Sequence, residues 1–335
     1  MDTATAERAG HGERAERRRG RTACVRLAAA TLAVVSAVLG CRAGDTDGIT
    51  PVPQLLAFLP WLLAPTGLAL ALALLTRWRT GMVWGVAVLG GLAWYTEPYG
   101  RLSEPTGTPL AGLRVMTANV QFGWATDALV AAVERKKPAI VFVAECEYTC
   151  SRALTDAFGG PGGALPHRAA VEGAESDGSV ILSRFPLKPA DGVPGTTMGM
   201  PGAVADVNGH PVRLQLAHPM PPVPGQVDVW RRELGALRDY AAASGEPTIL
   251  AGDFNASQDH AAFRRILDTG LRDSSRLAGA PRTPSWPSRT APALGTQIDH
   301  VLVSRDFSAR KADFLGLTRS DHHALVVDLT LRRRG

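Results

Sequence analysis

Apolar positions are distributed unevenly, with three long apolar runs in the first third of the chain and shorter alternating segments after them. The runs cover about residues 23–41, 54–76 and 81–96, and their one charged residue, Arg26, lies near the edge of the first. A bilayer core needs about 20 apolar residues per helix, which the second run supplies easily and the others reach with their flanks. The pattern predicts about three N-terminal transmembrane helices.

Basic residues concentrate on one side of these predicted spans. Residues 1–22 hold six arginines, and Arg77 and Arg79 lie between the second and third runs. The segments that follow the first and third runs each hold one arginine and two acids. Because positive loops stay on the cytoplasmic side, we expect a basic cytoplasmic tail at 1–22 and an extracytoplasmic remainder. The expected location is the bacterial cell membrane, with several passes.

The end of the first run allows a second interpretation. Val38-Leu-Gly-Cys41 resembles a lipoprotein cleavage box that follows a short apolar region. In that alternative the first run is a removed signal and Cys41 carries the lipid. The C-terminal part lies outside in both cases.

A segment rich in proline, glycine, serine and threonine, residues 97–111, is predicted to link the transmembrane region 23–96 to a domain at 112–335. In that domain, helical periodicity marks 125–137 and 227–243. The strand candidates are 113–120, 139–145, 179–185, 203–207, 211–217, 248–252, 298–304 and 324–331. Asn208-Gly209 is a strong hairpin signal. Hairpins mixed with strand–helix units predict two sheets flanked by helices.

Polar residues lie at or near the ends of these predicted strands. They are Asn119, Glu145, His218, Asp253, Asn255, Asp299, Asp321 and His322. Strand ends in layered α/β folds point into the crevice where ligands bind. One such residue is usually a cap, but eight at successive strand ends indicate a site.

The residue types narrow the chemistry. Asn119, Glu145 and Asp321 offer hard oxygen donors, which suit Mg²⁺ or Mn²⁺. The sequence has no zinc-type Cys or His spacing, no nucleophilic serine elbow and no phosphate-binding P-loop. Two histidines, acids and amides around a hard metal form a set suited to metal-assisted attack of water on phosphorus.

Seven segments carry a family resemblance in the family's order: 115–120, 143–145, 180–186, 216–219, 250–255, 297–304 and 320–322. Gly-Asp253-Phe-Asn255 and Ser-Asp321-His322 are the most specific. Together they resemble the endonuclease/exonuclease/phosphatase superfamily over about 220 residues. The resemblance implies a DNase I-like α/β fold, a four-layer α/β/β/α sandwich with its site at the sheet edges.

The resemblance also implies a metal centre. Glu145 would be the main ligand of Mg²⁺ (or Mn²⁺). Asn119 would lie beside it, and Asp321 at or near the metal.

Five further residues acquire catalytic roles from the same resemblance. Asp253 would orient and deprotonate the attacking water, and Asn255 would hold a phosphate oxygen. Asp299 would pair with His322 and keep it cationic against the phosphate. His218 would be a second, also cationic, histidine in contact with the phosphate, so that both imidazoliums neutralise developing charge.

Charge and anchoring guide the choice of substrate. Residues 112–335 hold 25 basic and 23 acidic side chains, too even a balance for a polyanion groove, so nucleic acid is not expected as a partner. An anchored outer domain fits a phosphorylated substrate in the bilayer. The layout resembles the VanJ-type teicoplanin-resistance proteins of actinobacteria. That implies hydrolysis of undecaprenyl pyrophosphate to the monophosphate, which recycles the lipid carrier and confers glycopeptide resistance.

Other interpretations stay open at this stage. On the same fold, the protein is alternatively a membrane-tethered nuclease or a phospholipid phosphodiesterase. A different class is a catalytically inactive surface adaptor. A disulfide between Cys146 and Cys150 suits an oxidising exterior, but the spacing is tight.

Overall fold

The computed structural model describes residues 3–100, 105–243 and 245–334. The chain divides into two compact units. The first, here called the apolar unit, comprises Met1–Gly48 and Phe58–Glu97. The second, here called the sheet unit, comprises Ile49–Ala57 and Pro98–Gly335. The sheet unit therefore includes a short segment that interrupts the apolar unit in sequence.

Helices account for the apolar unit. Its elements are α1 (Thr3–Ala43), a 3₁₀ turn (Leu59–Leu62), α3 (Leu63–Leu75) and α4 (Arg79–Thr96). The segment between them contributes α2 (Val52–Ala57) to the sheet unit. Inside the apolar unit, Trp84 Nε1 donates a hydrogen bond of 2.9 Å to Ser36 Oγ, and Gly91 leaves room for Leu39.

The prediction of about three transmembrane helices is not confirmed. Within the described residues, one helical stretch, Glu16–Ala43, is long and apolar enough to cross a membrane, and Leu59–Leu75 is a shorter apolar stretch. The predicted span 54–76 is divided because α2 ends at Ala57 and α3 begins only at Leu63. Pro60, which lacks a backbone N–H, occupies the 3₁₀ turn between them.

Two six-stranded sheets form the body of the sheet unit. The strands are β1 (Pro109–Asn119), β2 (Ile140–Ala144), β3 (His167–Val171), β4 (Ser179–Ser183), β5 (Leu187–Ala190), β6 (Gly202–Val207), β7 (His210–Ala217), β8 (Thr248–Asp253), β9 (Arg272–Asp273), β10 (Asp299–Val303), β11 (Phe307–Gly316) and β12 (His323–Arg332). Sheet I has the order β11-β12-β1-β2-β4-β3, and sheet II the order β5-β6-β7-β8-β10-β9.

Helices cover the outer faces of both sheets. They are α5 (Thr126–Lys136), α6 (Tyr148–Phe158), α7 (Val227–Ala242) and α8 (Ala261–Leu267). The short helix α9 (Ser274–Leu277) instead packs its Leu277 on the core between the sheets, and a 3₁₀ turn follows at Pro292–Leu294. One apolar core lies between the sheets, a second joins sheet I to α5 and α6, and a third joins sheet II to α7 and α8. This is the expected α/β/β/α order, and the DNase I-like prediction is confirmed.

Local pattern identified the buried strands better than the edge strands. Strand β2 is fully buried, and its apolar run is plain in the sequence. The edge strands β3 and β5 are four or five residues long and largely exposed, so they carry no apolar run that indicates a strand. Strand β1 begins at Pro109, inside the predicted linker 97–111.

Gly252 allows strands β7 and β8 to approach closely beside Asp253. Its φ of 153° lies outside the range of L side chains, and an added Cβ would lie 2.0 Å from the Ala217 carbonyl oxygen. Gly252→Ala is expected to lower the free energy of unfolding by about 2–5 kcal/mol. The measurement is the thermal unfolding midpoint of the purified chain by near-ultraviolet circular dichroism.

Gly235→Ala is the matched control, because Gly235 lies within α7 and an added Cβ would meet nothing within 4 Å. It should raise stability by roughly 0.5–1 kcal/mol. Equal midpoints for the two variants would contradict this account of Gly252.

Candidate active site

Strand register brings the predicted site residues to one edge of the two sheets. In sheet I, Asn119 ends β1 opposite Ala144, the residue before Glu145. In sheet II, Asp253 ends β8 opposite Asp299, the first residue of β10. The edge they share is called here the catalytic edge. Residues as far apart in sequence as Asn119 and Asp299 therefore lie at the same edge.

Asn119 joins carboxylates from both sheets. Its Nδ2 donates hydrogen bonds to Glu145 Oε1 at 2.8 Å and to Asp253 Oδ2 at 3.1 Å. Its Oδ1 accepts from Gln121 N at 2.9 Å. The amide therefore acts as a donor that orients two carboxylates, and its role as a metal ligand stays a prediction.

Glu145 turns sharply out of β2. Its backbone has a φ of 56°, and Oε2 accepts a hydrogen bond of 3.0 Å from Phe122 N. Burial raises the pKa of Glu145, hydrogen bonds from Asn119 and Phe122 oppose that rise, and the nearby charge of Asp321 adds to it. The negative charges of Glu145 and Asp321 therefore repel each other across the site.

His322 lies between carboxylates of sheet II. Its Nδ1 is 2.9 Å from Asp299 Oδ2, and its Nε2 is 3.7 Å from Asp253 Oδ2. Burial alone would lower the pKa of His322, but the charges of Asp299 and Asp253 and the Asp299 hydrogen bond raise it to about 10. His322 is therefore cationic at neutral pH, and its Nε2 lies between Asp253 Oδ2 at 3.7 Å and Asp321 Oδ1 at 4.0 Å.

Asp253 has the properties of a general base. Burial raises its pKa to about 6, while the charge of His322 works against that rise. Asp253 Oδ1 accepts from Asn255 N at 2.8 Å, which leaves Oδ2 facing Asn119 and His322. At neutral pH the carboxylate is mostly ionised and close enough to its pKa to accept a proton readily.

His218 requires a correction to its expected charge. It is buried at the end of β7, and its Nε2 lies 3.7 Å from Glu145 Oε1. Burial lowers the pKa of His218, and the neighbouring positive charge of His322 contributes to this. Two adjacent imidazolium ions do not form at neutral pH, so His218 meets the site as a neutral hydrogen-bond donor.

Asn255 is fixed from two sides. Its backbone is left-handed, with a φ of 47°, and its Nδ2 donates to the Pro219 carbonyl at 3.0 Å. Its own carbonyl accepts from Trp230 Nε1 at 3.1 Å. The second Nδ2 hydrogen remains for a ligand, consistent with the predicted contact to phosphate.

Two groups of side chains offer ligand atoms to a metal cation. Atoms of Asp253, Asp299 and His322 lie within 4.8 Å of one another. In that group His322 Nδ1 already pairs with Asp299 Oδ2 at 2.9 Å, and an imidazole nitrogen suits Mg²⁺ less well than an oxygen ligand does. Glu145 and Asp321 instead supply carboxylates whose mutual repulsion a divalent ion would relieve. The predicted ligands thus fit a hard cation better than the buried trio.

Several supporting residues lie outside the sequence prediction. Ser285 Oγ accepts from the backbone N–H groups of Ile298 and Asp299, each at 3.0 Å. Ser320 Oγ accepts from His322 N and donates to the Asn119 carbonyl at 2.8 Å, so it joins the two strand ends. Ser320 is the first residue of the Ser-Asp-His motif, so the motif itself was the sequence signal that could have identified it.

Glu233 supports the loop that follows His218. It is buried, and it accepts hydrogen bonds of 2.7 Å from Thr197 N, Thr197 Oγ1 and Met220 N. An acid at an apolar-spaced position of α7, three residues after Trp230, was the available sequence signal. In the loop before β10, Trp286 Nε1 donates to Asp321 Oδ2 at 3.2 Å.

A disulfide joins Cys146 to Cys150 directly after Glu145. It ties the end of β2 to the first turn of α6, where Glu147 accepts from Thr149 N and Cys150 N. Cys24 and Cys41 are free.

Known proteins are similar to this chain in family and in fold. Residues 116–322 match the model of the Endonuclease/Exonuclease/phosphatase family. No curated protein matches. Humanized TDP2 of D. rerio is similar in structure, with a TM-score of 0.53 and 15% identity over 65% of this chain and 98% of that one. An endonuclease/exonuclease/phosphatase of Beutenbergia cavernae reaches 0.52 and 20% identity, over 67% and 73% of the two chains. A family protein of Bacteroides thetaiotaomicron gives 0.51 and 15%, over 69% and 99%.

Asp299→Asn tests the electrostatics of His322 in the metal-free protein. Removal of the closest charge should bring the pKa of His322 well below its value of about 10. The measurement is an NMR titration of ¹³C-labelled histidine. Asp321→Asn is the control, because Asp321 contributes least to the shift. An unchanged titration in Asp299→Asn would contradict the assignment.

Stability should follow the same titration. A folded-state pKa raised above the unfolded value contributes stability that is fully present below about pH 6.5 and lost as pH rises through about 10. The difference in unfolding free energy between wild type and Asp299→Asn should therefore shrink between pH 7 and about 10.5, which urea unfolding would measure. A constant difference across this range would argue against the ion pair.

Proposed function

The chain belongs to the endonuclease/exonuclease/phosphatase family, and from that premise we propose that it is a membrane-anchored phosphohydrolase. Its proposed substrate is undecaprenyl pyrophosphate, which it hydrolyses to undecaprenyl phosphate and inorganic phosphate. The observation that carries the chemistry is the Asp299–His322–Asp253 array beside Glu145 and Asp321. It combines a base, a cation and a pair of hard oxygen ligands.

Each proposed role follows from geometry and charge. Asp253, ionised at neutral pH, takes a proton from the attacking water. His322, held cationic by Asp299, stabilises negative charge on the phosphate oxygens. Neutral His218 and the free N–H of Asn255 donate hydrogen bonds to the same oxygens. Asn119 keeps Asp253 and Glu145 aligned.

Enzymes of this family generally depend on a divalent metal. Glu145 and Asp321 would hold it, with Asn119 beside them. When bound, Mg²⁺ or Mn²⁺ supplies positive charge for the phosphate and for the leaving oxygen.

Three observations support a substrate in the membrane. The helical stretch Glu16–Ala43 can anchor the chain. Residues 112–335 have an even charge balance, which does not suit a polyanion such as nucleic acid. The overall layout resembles that of VanJ-type proteins, so the proposal includes recycling of the lipid carrier and glycopeptide resistance.

The proposed location of the sheet unit is extracytoplasmic. The Cys146–Cys150 disulfide supports it, because such bonds persist in oxidising compartments and are reduced in the cytosol. The arginine-rich tail agrees, since basic flanks stay in the cytoplasm.

The direct test measures phosphate release by the detergent-solubilised full chain from undecaprenyl pyrophosphate, with plasmid DNA and sphingomyelin assayed in parallel. Activity should require Mg²⁺ or Mn²⁺ and disappear with chelator. Asp253→Asn, which keeps shape but removes the base, should lower kcat by about 10²–10⁴-fold. Nicked plasmid or released choline phosphate with intact pyrophosphate would keep the site and overturn the substrate. No metal-dependent hydrolysis of any of the three would contradict the enzyme proposal.

The pH profile should reflect two groups. Activity should rise as Asp253 ionises near pH 6 and fall as His322 loses its proton toward pH 10. The measurement is kcat/KM between pH 5 and about 10.5. Asp299→Asn should move the alkaline limb to lower pH and leave the acid limb in place. An alkaline limb that does not move would separate His322 from the reaction.

A further inference from the structure

Exposed apolar side chains of the sheet unit gather around the catalytic edge. Among the residues that the structure describes, the large exposed apolar side chains of this unit are Ile49, Phe122, Trp124, Tyr148, Val171, Val223 and Leu294. This set is called here the apolar ring. A monomeric soluble surface usually scatters such residues singly.

Sheet I contributes four members of the ring. Phe122 and Trp124 follow Asn119 at the end of β1, and Tyr148 comes three residues after Glu145. Val171 ends β3 and pairs with Ser179, which in turn pairs with Ala144 at the end of β2. The register therefore places all four at the edge that carries Asn119 and Glu145.

Sheet II contributes two more members at the same edge. Val223 lies five residues after His218, in the loop that leaves β7. Leu294 lies five residues before Asp299, in the loop that enters β10. Both loops flank catalytic side chains in the chain itself.

Ile49 reaches this edge through α2. The Pro53 carbonyl accepts from His260 Nε2 at 2.8 Å, since His260 Nδ1 accepts from Ser257 N. The Ala57 carbonyl accepts from Thr296 Oγ1 at 2.6 Å. Gln54 Nε2 also donates to the Pro222 carbonyl. These contacts attach the segment to the loops after β7 and β8 and to the loop before β10.

The opposite edge lacks comparable side chains within the described residues. Its turns include Asn208-Gly209 between β6 and β7 and Lys137-Pro138 before β2. None of the large apolar side chains that are exposed among the described residues of the sheet unit lies at these turns. The apolar exposure is thus a property of the catalytic edge and not of the whole unit.

The Phe122–Trp124 pair is presented on a fixed loop. Gln121, Phe122 and Gly123 have left-handed φ values of 47°, 54° and 77° in succession. A backbone hydrogen bond from Trp124 N to Gln121 O and a bond from Phe122 N to the Glu145 carboxylate oxygen Oε2 fix this turn. The rings contact each other edge to face at 5.4 Å and remain 38% and 51% exposed. Strained backbone that exposes aromatic rings indicates a function for them.

We propose that the apolar ring docks the catalytic edge onto the surface of a lipid bilayer. The chain supports this occupant, because Gly48 and Phe58, the neighbours of the Ile49–Ala57 segment, both belong to the apolar unit with its membrane-length helix. Tryptophan, tyrosine and phenylalanine are also typical of the membrane interface. Docking would bring the site to the level of lipid phosphates. The substrate part of this inference rests on the proposed function, but the docking itself does not.

Site-directed quenching in vesicles tests the docking. The full chain, with Cys24→Ser and Cys41→Ser and the disulfide intact, would carry a bimane label at Trp124→Cys or Leu294→Cys. Asn208→Cys, on the opposite edge, is the matched control. The protein is reconstituted in phosphatidylcholine–phosphatidylglycerol vesicles with and without brominated phosphatidylcholine. Bromolipid should quench the labels at 124 and 294 severalfold more than the label at 208. Equal quenching at the three positions would overturn the proposal.

A kinetic comparison provides the second measurement. The double variant Trp124→Ser and Leu294→Ser should raise KM for undecaprenyl pyrophosphate in vesicles by about ten-fold, because binding at a bilayer scales with buried apolar area. Its kcat/KM for a water-soluble short-chain prenyl pyrophosphate should not change, and Asn208→Ser should match wild type on both. Equal losses on both substrates would overturn the docking role. Quenched labels without hydrolysis of the lipid would preserve the docking and reject the proposed substrate.

Discussion

The buried array of Asp299, His322 and Asp253 is the constraint that organises the sheet unit. Removal of water from each charged group costs several kcal/mol of folding free energy. The attraction between His322 and the two carboxylates offsets that cost only when all three groups are buried together. Asp253 and Asp299 come from paired strands of sheet II, while His322 precedes the first residue of β12 in sheet I. The compensation of charge therefore requires both sheets to meet at this edge. Within sheet I, the Ser320 hydroxyl accepts from His322 N and donates to the Asn119 carbonyl, so it holds His322 against the end of β1.

The sequence predicts the location of this array well and its internal hydrogen bonds poorly. Apolar runs that end in a polar residue, such as 139–145 before Glu145, reveal the strand and the edge at which it ends. They do not reveal the direction of a hydrogen bond. That Asn119 Nδ2 donates to both Glu145 and Asp253 could not be predicted, because these contacts depend on how the two sheets meet. His218 was expected to be cationic, but full burial beside His322 lowers its pKa.

Hydropathy alone also misassigned the segment around α2. Its leucines continue an apolar run, so a window average extends the predicted span back to residue 54. Hydrogen bonds instead attach this segment to the sheet unit, because Gln54 and the carbonyls of Pro53 and Ala57 have partners there. The final carbonyls of a short helix lack partners within it, and Thr296 supplies a partner for that of Ala57. A polar partner hundreds of residues away in sequence has no local signature.

The same catalytic array serves many substrates in principle, so selectivity has to come from what surrounds it. A nuclease needs positive charge along a groove to bind a polyanion, and residues 112–335 hold 25 basic against 23 acidic side chains. Loops at the catalytic edge instead expose aromatic and aliphatic side chains beside Glu145 and His218. Contact of the apolar ring with other apolar groups removes apolar surface from water and is favourable, whereas contact with a phosphate backbone contributes little. A phosphate attached to an apolar chain would interact favourably with both the apolar ring and the charged array, whereas a water-soluble phosphate would interact only with the array.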